Sequence, residues 1–114
     1  MRTSFLLFYI LASMVSFSVV AADIEAGKKK AEPCQACHSA NGNAEIDAQY
    51  PRLAGQYADY LTRALKAYKS GERKNPVMAT FAGTLNDDDI NDVAAYFSSL
   101  PGKLDDLSKH TQGE

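Results

Sequence analysis

Both cysteines of this 114-residue chain, Cys34 and Cys37, stand in the stretch "PCQACHS", where His38, one of two histidines, directly follows the second thiol. Three chemistries use such donors. Two thiols at this spacing can close a redox disulfide, two thiolates with an imidazole can begin a zinc site, and C-x-x-C-H can anchor haem covalently. In the third case each residue has its own task. Within a turn of helix the two sulfurs reach the two vinyl groups to form thioethers, and the imidazole of the next residue meets the iron.

The surrounding chain narrows the choice. It opens with "MRTS", the apolar run "FLLFYILASMVSFSVV" and the small residues Ala21 and Ala22 ahead of the acidic "DIEAG". This order of charge, apolar run and small residues predicts a secretory signal peptide over residues 1–22, cleaved after Ala22. A permanent membrane anchor fits less well. The run from Phe5 to Val20 contains Ser13, Ser16 and Ser18 and falls short of the roughly 20 apolar residues of a spanning helix. Cleavage leaves a domain over 23–102 and a polar tail over 103–114. The full chain has 12 basic and 14 acidic side chains, and losing Arg2 takes the formal charge from −2 to about −3. That mildly acidic balance carries no nucleic-acid signature.

A domain this small buries little of its surface, so a metal, disulfide or other cross-link often supplements the core. Export to an oxidising compartment would ordinarily make a cysteine pair a structural disulfide. A bridge between Cys34 and Cys37 would close a loop too small to restrict the unfolded chain much. Stapling is therefore a poor account of the pair.

Three segments carry helical patterns. The first begins at Asp23, a good N-cap, and runs to Pro33, with Ile24, Gly27 and Ala31 on one side. The second runs from about Gln56 to Ser70. Its residues Tyr57, Tyr60, Leu61, Ala64, Leu65 and Tyr68 follow the period of one buried face, and Gly71 stops it. The third starts at the N-cap Asn86, with aspartates in its first turn and Leu85 placed to staple onto Ile90. Ile90, Val93, Ala94, Phe97 and Leu100 form its apolar stripe, and Pro101-Gly102 ends it. Between the helices, 39–55 and 71–85 read as long irregular stretches, of the kind that is usually functional. No alternating strand pattern occurs.

An all-helical chain lacks the β-α-β setting of a thioredoxin-like dithiol. A structural zinc site needs four ligands, and beyond the leader the sulfur and imidazole donors are Cys34, Cys37, His38 and His110, the last in the polar tail. The adjacent Cys37 and His38 project in different directions, which hinders tetrahedral closure by both. Haem attachment accounts for all three residues of the motif together with export. Met1 and Met14 lie in the leader, which leaves Met78 as the methionine of the domain. A lone methionine is most often core filler, but one in the stretch "GERKNPVMATFAGTL", stiffened by Pro76, is also placed to offer a thioether to a second face of iron. His110 is a weaker candidate, and its ordinary role is a solvated side chain.

These residues resemble the class I c-type cytochromes, among them the short bacterial single-haem proteins similar to one half of the two-haem cytochromes. The resemblance rests on "AGKKKAEPCQACHSANGN", "YPRLAGQYADYLTRALKAYKSGER", "NPVM" and "LNDDDINDVAAYFSSL" in the family's order, and covers nearly all of 23–102. It implies an all-α class I cytochrome c fold, with three main helices and long loops wrapped around one covalently bound haem c. Cys34 and Cys37 would bear the thioethers, His38 would be the proximal ligand and Met78 the distal one. The Pro51 carbonyl would accept the Nδ1 proton of His38, Leu53 would pack on the haem, and Arg52 or Gln56 would meet a propionate. Gly27 would let the first helix cross the last closely, against Tyr96 or Phe97. Two departures stand out: Ser39 replaces the glycine of many relatives, and the second haem half is missing.

With both axial positions filled by protein, the resemblance implies outer-sphere one-electron transfer rather than bond chemistry. The expected protein is a periplasmic carrier, not an enzyme, and a monomer in isolation. Its expected partners are redox proteins such as a terminal oxidase, a membrane quinol-oxidising complex or a periplasmic dehydrogenase. Basic residues at Lys28–Lys30 and in "KAYKSGERK", with the acidic "DDDIND", suggest electrostatic steering of such partners. The alternatives are a haem subunit of a periplasmic oxidoreductase complex and a haem-based ligand sensor in which Met78 is displaced.

Overall fold

The computed structural model describes residues 20–102. Residues 1–19 and 103–114 lie outside the described residues, and with them most of the expected leader, the expected tail and His110. Among the described residues there are helices and turns but no strand. In chain order they form α1 (Ile24–Lys30), a short 3-10 turn (Glu32–Cys34), α2 (Gln35–His38), α3 (Ala58–Ser70), α4 (Pro76–Gly83) and α5 (Asp87–Ser99). None of them is long and apolar enough to cross a membrane.

Local chemistry explains the helix ends. Asp23 caps α1 through its side chain, which accepts from the Ala26 N–H at 3.0 Å. The helix stops at Lys30, earlier than predicted, because Pro33 enters the next turn and tightens it to 3-10 geometry. Gly71, in the left-handed region with φ of 80°, ends α3. Asn86 and Asp89 form a reciprocal capping box at the start of α5.

Helix α4 corrects the sequence expectation, which left 71–85 irregular. Its start signal was present: Asn75 is the N-cap and Pro76 occupies the first helical turn. Its apolar residues are spread around the short helix rather than gathered into a stripe, so periodicity gave no sign of it.

The core is a crossing of helices. Helix α5 packs on α1 and α3, and α3 packs on α4. Ile90, Val93, Ala94, Tyr96 and Phe97 of α5 are buried with Leu61 of α3 and Ala31. Gly27 enables the α1–α5 approach, but against a different surface from the expected Tyr96 or Phe97. A Cβ there would collide with the backbone of Asp92 and Val93, so the helices meet backbone to backbone. The predicted stripe of α3 divides: Leu61 and Leu65 join the core, while Tyr57 is 78% exposed and Tyr60 is 50% exposed.

Candidate functional site

Helix α2 is one turn long and carries the motif. His38 closes it and is buried, with Cys34 and Cys37 half-buried on the same wall. Its Nδ1 lies 2.9 Å from the Pro51 carbonyl oxygen. A carbonyl can only accept, so Nδ1 carries the proton and Nε2 is the nitrogen left to ligate.

The position of Pro51 follows from the loop after the motif. Directly after His38 the chain turns at Ser39, with φ of 67° and ψ of 154°. His38 O then accepts from Ala44 N at 3.0 Å, and Gly42 O accepts from the backbone N–H of both Leu53 and Ala54, at 2.8 and 3.0 Å. Gly42 adopts φ of 72°, and a side chain there would press on Ala54 and Phe97. Asn43 reaches across to Pro101 O at 3.2 Å, tying the loop to the end of α5. Two short segments separated by an irregular stretch are thereby held in register, one presenting His38 and the other its carbonyl partner.

Cys34, Cys37, His38 and Pro51 line a cleft of about 590 Å³ together with Leu53, Leu61, Leu65, Val93, Ala94 and Phe97. Met78 stands in the same cleft, in the first turn of α4. Its amide donates to Asn75 Oδ1 at 3.0 Å, so the N-cap bond of α4 falls on the candidate ligand itself. Val77 and Phe81 of α4 and Tyr60 of α3, all notably exposed apolar side chains, line the cleft too. Arg52, Gln56 and Arg73 supply its polar groups. Arg73 lies over the Tyr68 ring, 4.7 Å from its centre.

Every site residue named from the sequence therefore borders one cavity, apart from His110, which lies outside the described residues. Tyr50 was missed. Its ring meets that of His38 edge-on at 6.2 Å, and a hydrogen bond with Cys37 raises its hydroxyl pKa. The available signal was its place beside Pro51. The aromatic lining at Phe81 was missed together with α4.

The cleft suits a large, flat, mainly apolar group with a polar edge. Its volume lies in the range of cofactor sites, its walls are aliphatic and aromatic, and an imidazole and a thioether come from separate elements. Other uses of the motif fit less well. Burial pushes the Cys34 thiol above its ordinary pKa, whereas redox dithiols depend on a lowered one. Among the described residues no three His, Cys, Asp or Glu side chains gather as a metal site.

Comparison with known proteins agrees with this chemistry. The cytochrome c family model matches residues 24–101. The chain is 44% identical to cytochrome c-554(548) of Halomonas halodenitrificans over 82 residues, covering 69% of this chain and 98% of that protein. It is 38% identical to the thiosulfate dehydrogenase electron acceptor of Stutzerimonas stutzeri, covering 60% of this chain and 32% of that one. Reduced recombinant cytochrome c4 from Pseudomonas stutzeri has a similar structure, with a TM-score of 0.68 and 39% identity over 74% of this chain. The present chain spans 48% of that cytochrome c4 chain, about half its length.

Proposed function

Since this chain belongs to the cytochrome c family, we propose that it is a periplasmic one-electron carrier, exported with residues 1–22 as a leader cleaved after Ala22. Its cofactor is a haem c, which when bound supplies exchange of one electron between the ferrous and ferric states. Cys34 and Cys37 would hold it through thioethers, and His38 and Met78 through the iron. Pro51 fixes the imidazole ring and its tautomer. Leu53, Phe81, Val77 and Phe97 exclude water, which disfavours the ferric cation and raises the potential, as the Met ligand also does. Arg52 at the cleft edge would face a propionate.

The observation that carries this reading is the shared cleft, lined both by His38, whose ring Pro51 holds, and by Met78, whose amide Asn75 caps. With His38 and Met78 both holding the haem, its iron would offer no position to a substrate, which favours transfer over catalysis. Met78→Ala is the test. The native ferrous protein should be inert to carbon monoxide and the variant should bind it. A variant that kept a native six-coordinate spectrum would remove Met78 from the iron.

A second reading, the haem subunit of an oxidoreductase, is supported by likeness to a thiosulfate dehydrogenase electron acceptor. A second chain in fixed stoichiometry through purification would favour it over a free shuttle. In either role the protein exchanges electrons with redox partners. Two of the basic residues expected to steer them are paired with aspartates of the acidic run. Lys30 pairs with Asp89 at 3.0 Å and Lys66 with Asp87 at 3.7 Å.

A further inference from the structure

Asp23 is tied to the far end of the domain by its own backbone nitrogen, which donates to Asp92 Oδ1 of α5 at 2.7 Å. The bond spans 69 residues in sequence. The same residue of α5 takes part in the close crossing below it, where the Asp92 carbonyl leaves no room for a Cβ on Gly27. Asp92 therefore grips α1 at two points, its backbone against Gly27 and its carboxylate against the first residue of the domain. Val20, Ala21 and Ala22 before that residue are exposed, so their removal strips no packed side chain from the fold.

Resting on the proposed cleavage after Ala22, we propose that leader removal turns this amide contact into an ion pair, in which the new α-ammonium of Asp23 is held by the Asp92 carboxylate. Hydrolysis of the Ala22–Asp23 peptide bond adds water across it, leaving a carboxylate on Ala22 and an amine on Asp23 that is protonated below its ordinary pKa of about 7.7–8.0. A neutral N–H···O⁻ bond becomes a charge-assisted one. A cation at the N-terminus of α1 is opposed by the helix dipole, and a carboxylate at bonding distance offsets that opposition. Asp23's own side chain is engaged with Ala26 N, which leaves Asp92 as the external counter-charge. Processing would thus lock the crossing of the first and last helices, and the exported form would be more stable than any form extended at its N-terminus.

The experiment is a four-protein cycle on the exported haem protein. Asp92→Asn is placed in chains beginning at Asp23 and in chains carrying one extra glycine before it, which returns an amide to Asp23 and moves the charge away. Thermal midpoints are read from the haem absorption, and intact mass fixes each N-terminus. Asp92→Asn should lower the midpoint by about 4–8 °C in the chain beginning at Asp23, and by less than half of that in the extended chain. Equal losses in both backgrounds would overturn the ion pair while leaving cleavage intact. A native N-terminus other than Asp23 would overturn the cleavage site and the ion pair with it. Should Asp92→Asn fail to fold, acylation of the α-amine in the two Asp92 proteins decides. The paired amine should react about fivefold more slowly at pH 8, the effect there of an α-amine pKa raised by one unit, and equal rates would refute the pair.

Discussion

Ser39 shows how closely the site depends on single backbone conformations. Its dihedrals fall in a region that is essentially glycine-only and costs about 1–3 kcal/mol for other residues. The turn is imposed from both sides, by α2 before it and by the Ala44 N–H on His38 O after it. Its hydroxyl offsets part of the strain by accepting from Glu45 N at 2.9 Å, a bond contributing about 1 kcal/mol. Ser39→Ala should keep the strain, lose the bond and cost about 1 kcal/mol in denaturant unfolding of the haem protein. Ser39→Gly should equal or exceed the native stability, inverting the usual rank of alanine over glycine. The departure at Ser39 was legible in the sequence as a substitution. Its energetic meaning required the dihedral angles.

Helix ends and crossings decide where the ligands stand. Gly27→Ala forces a Cβ into the Asp92 backbone, where neither helix has a flexible side chain that could yield. It should cost about 3 kcal/mol, the upper part of the overpacking range, seen as a lowered denaturant midpoint. The N-terminus of α5 gives a pH dependence of defined sign. The Asn86 backbone bond, followed by the Lys30 contact, holds the Asp89 carboxyl below the usual carboxylate range. A depressed folded pKa contributes stability above the unfolded value of about 3.9. The contribution is lost as pH falls through that value toward the depressed one. Asp89→Asn should therefore show a shallower fall of thermal midpoint on acidification than the native protein. The caps at Asp23 and Asn86 could be read in the sequence because one side chain sets each. Helix α4 could not be read from periodicity, since the cleft it lines is shared with α2 and the segment around Pro51, far away in sequence.

At the scale of the molecule, the apolar side chains divide between a small core and the walls of the cleft. Among the described residues, Phe97 and Ile90 are the largest fully buried side chains, while Phe81, Val77 and Tyr60 turn partly exposed surface toward the cavity. The haem is therefore expected to supply core as well as redox chemistry. A Cys34→Ala/Cys37→Ala chain should lose its near-ultraviolet dichroism while keeping part of its far-ultraviolet helical signal, the mark of lost packing. The motif, the order of segments and the class of fold were legible because covalent chemistry and helix periodicity are local. The edge-on contact of Tyr50, the meeting of Gly27 with Asp92 and the split face of α3 were not, since each depends on elements brought together only by folding. Covalent haem at Cys34 and Cys37 is the central claim, and the intact mass of the exported protein tests it most directly. One haem added to a chain beginning at Asp23, and retained through acid extraction, is the predicted result. A bare polypeptide mass, or one carrying zinc, would contradict it.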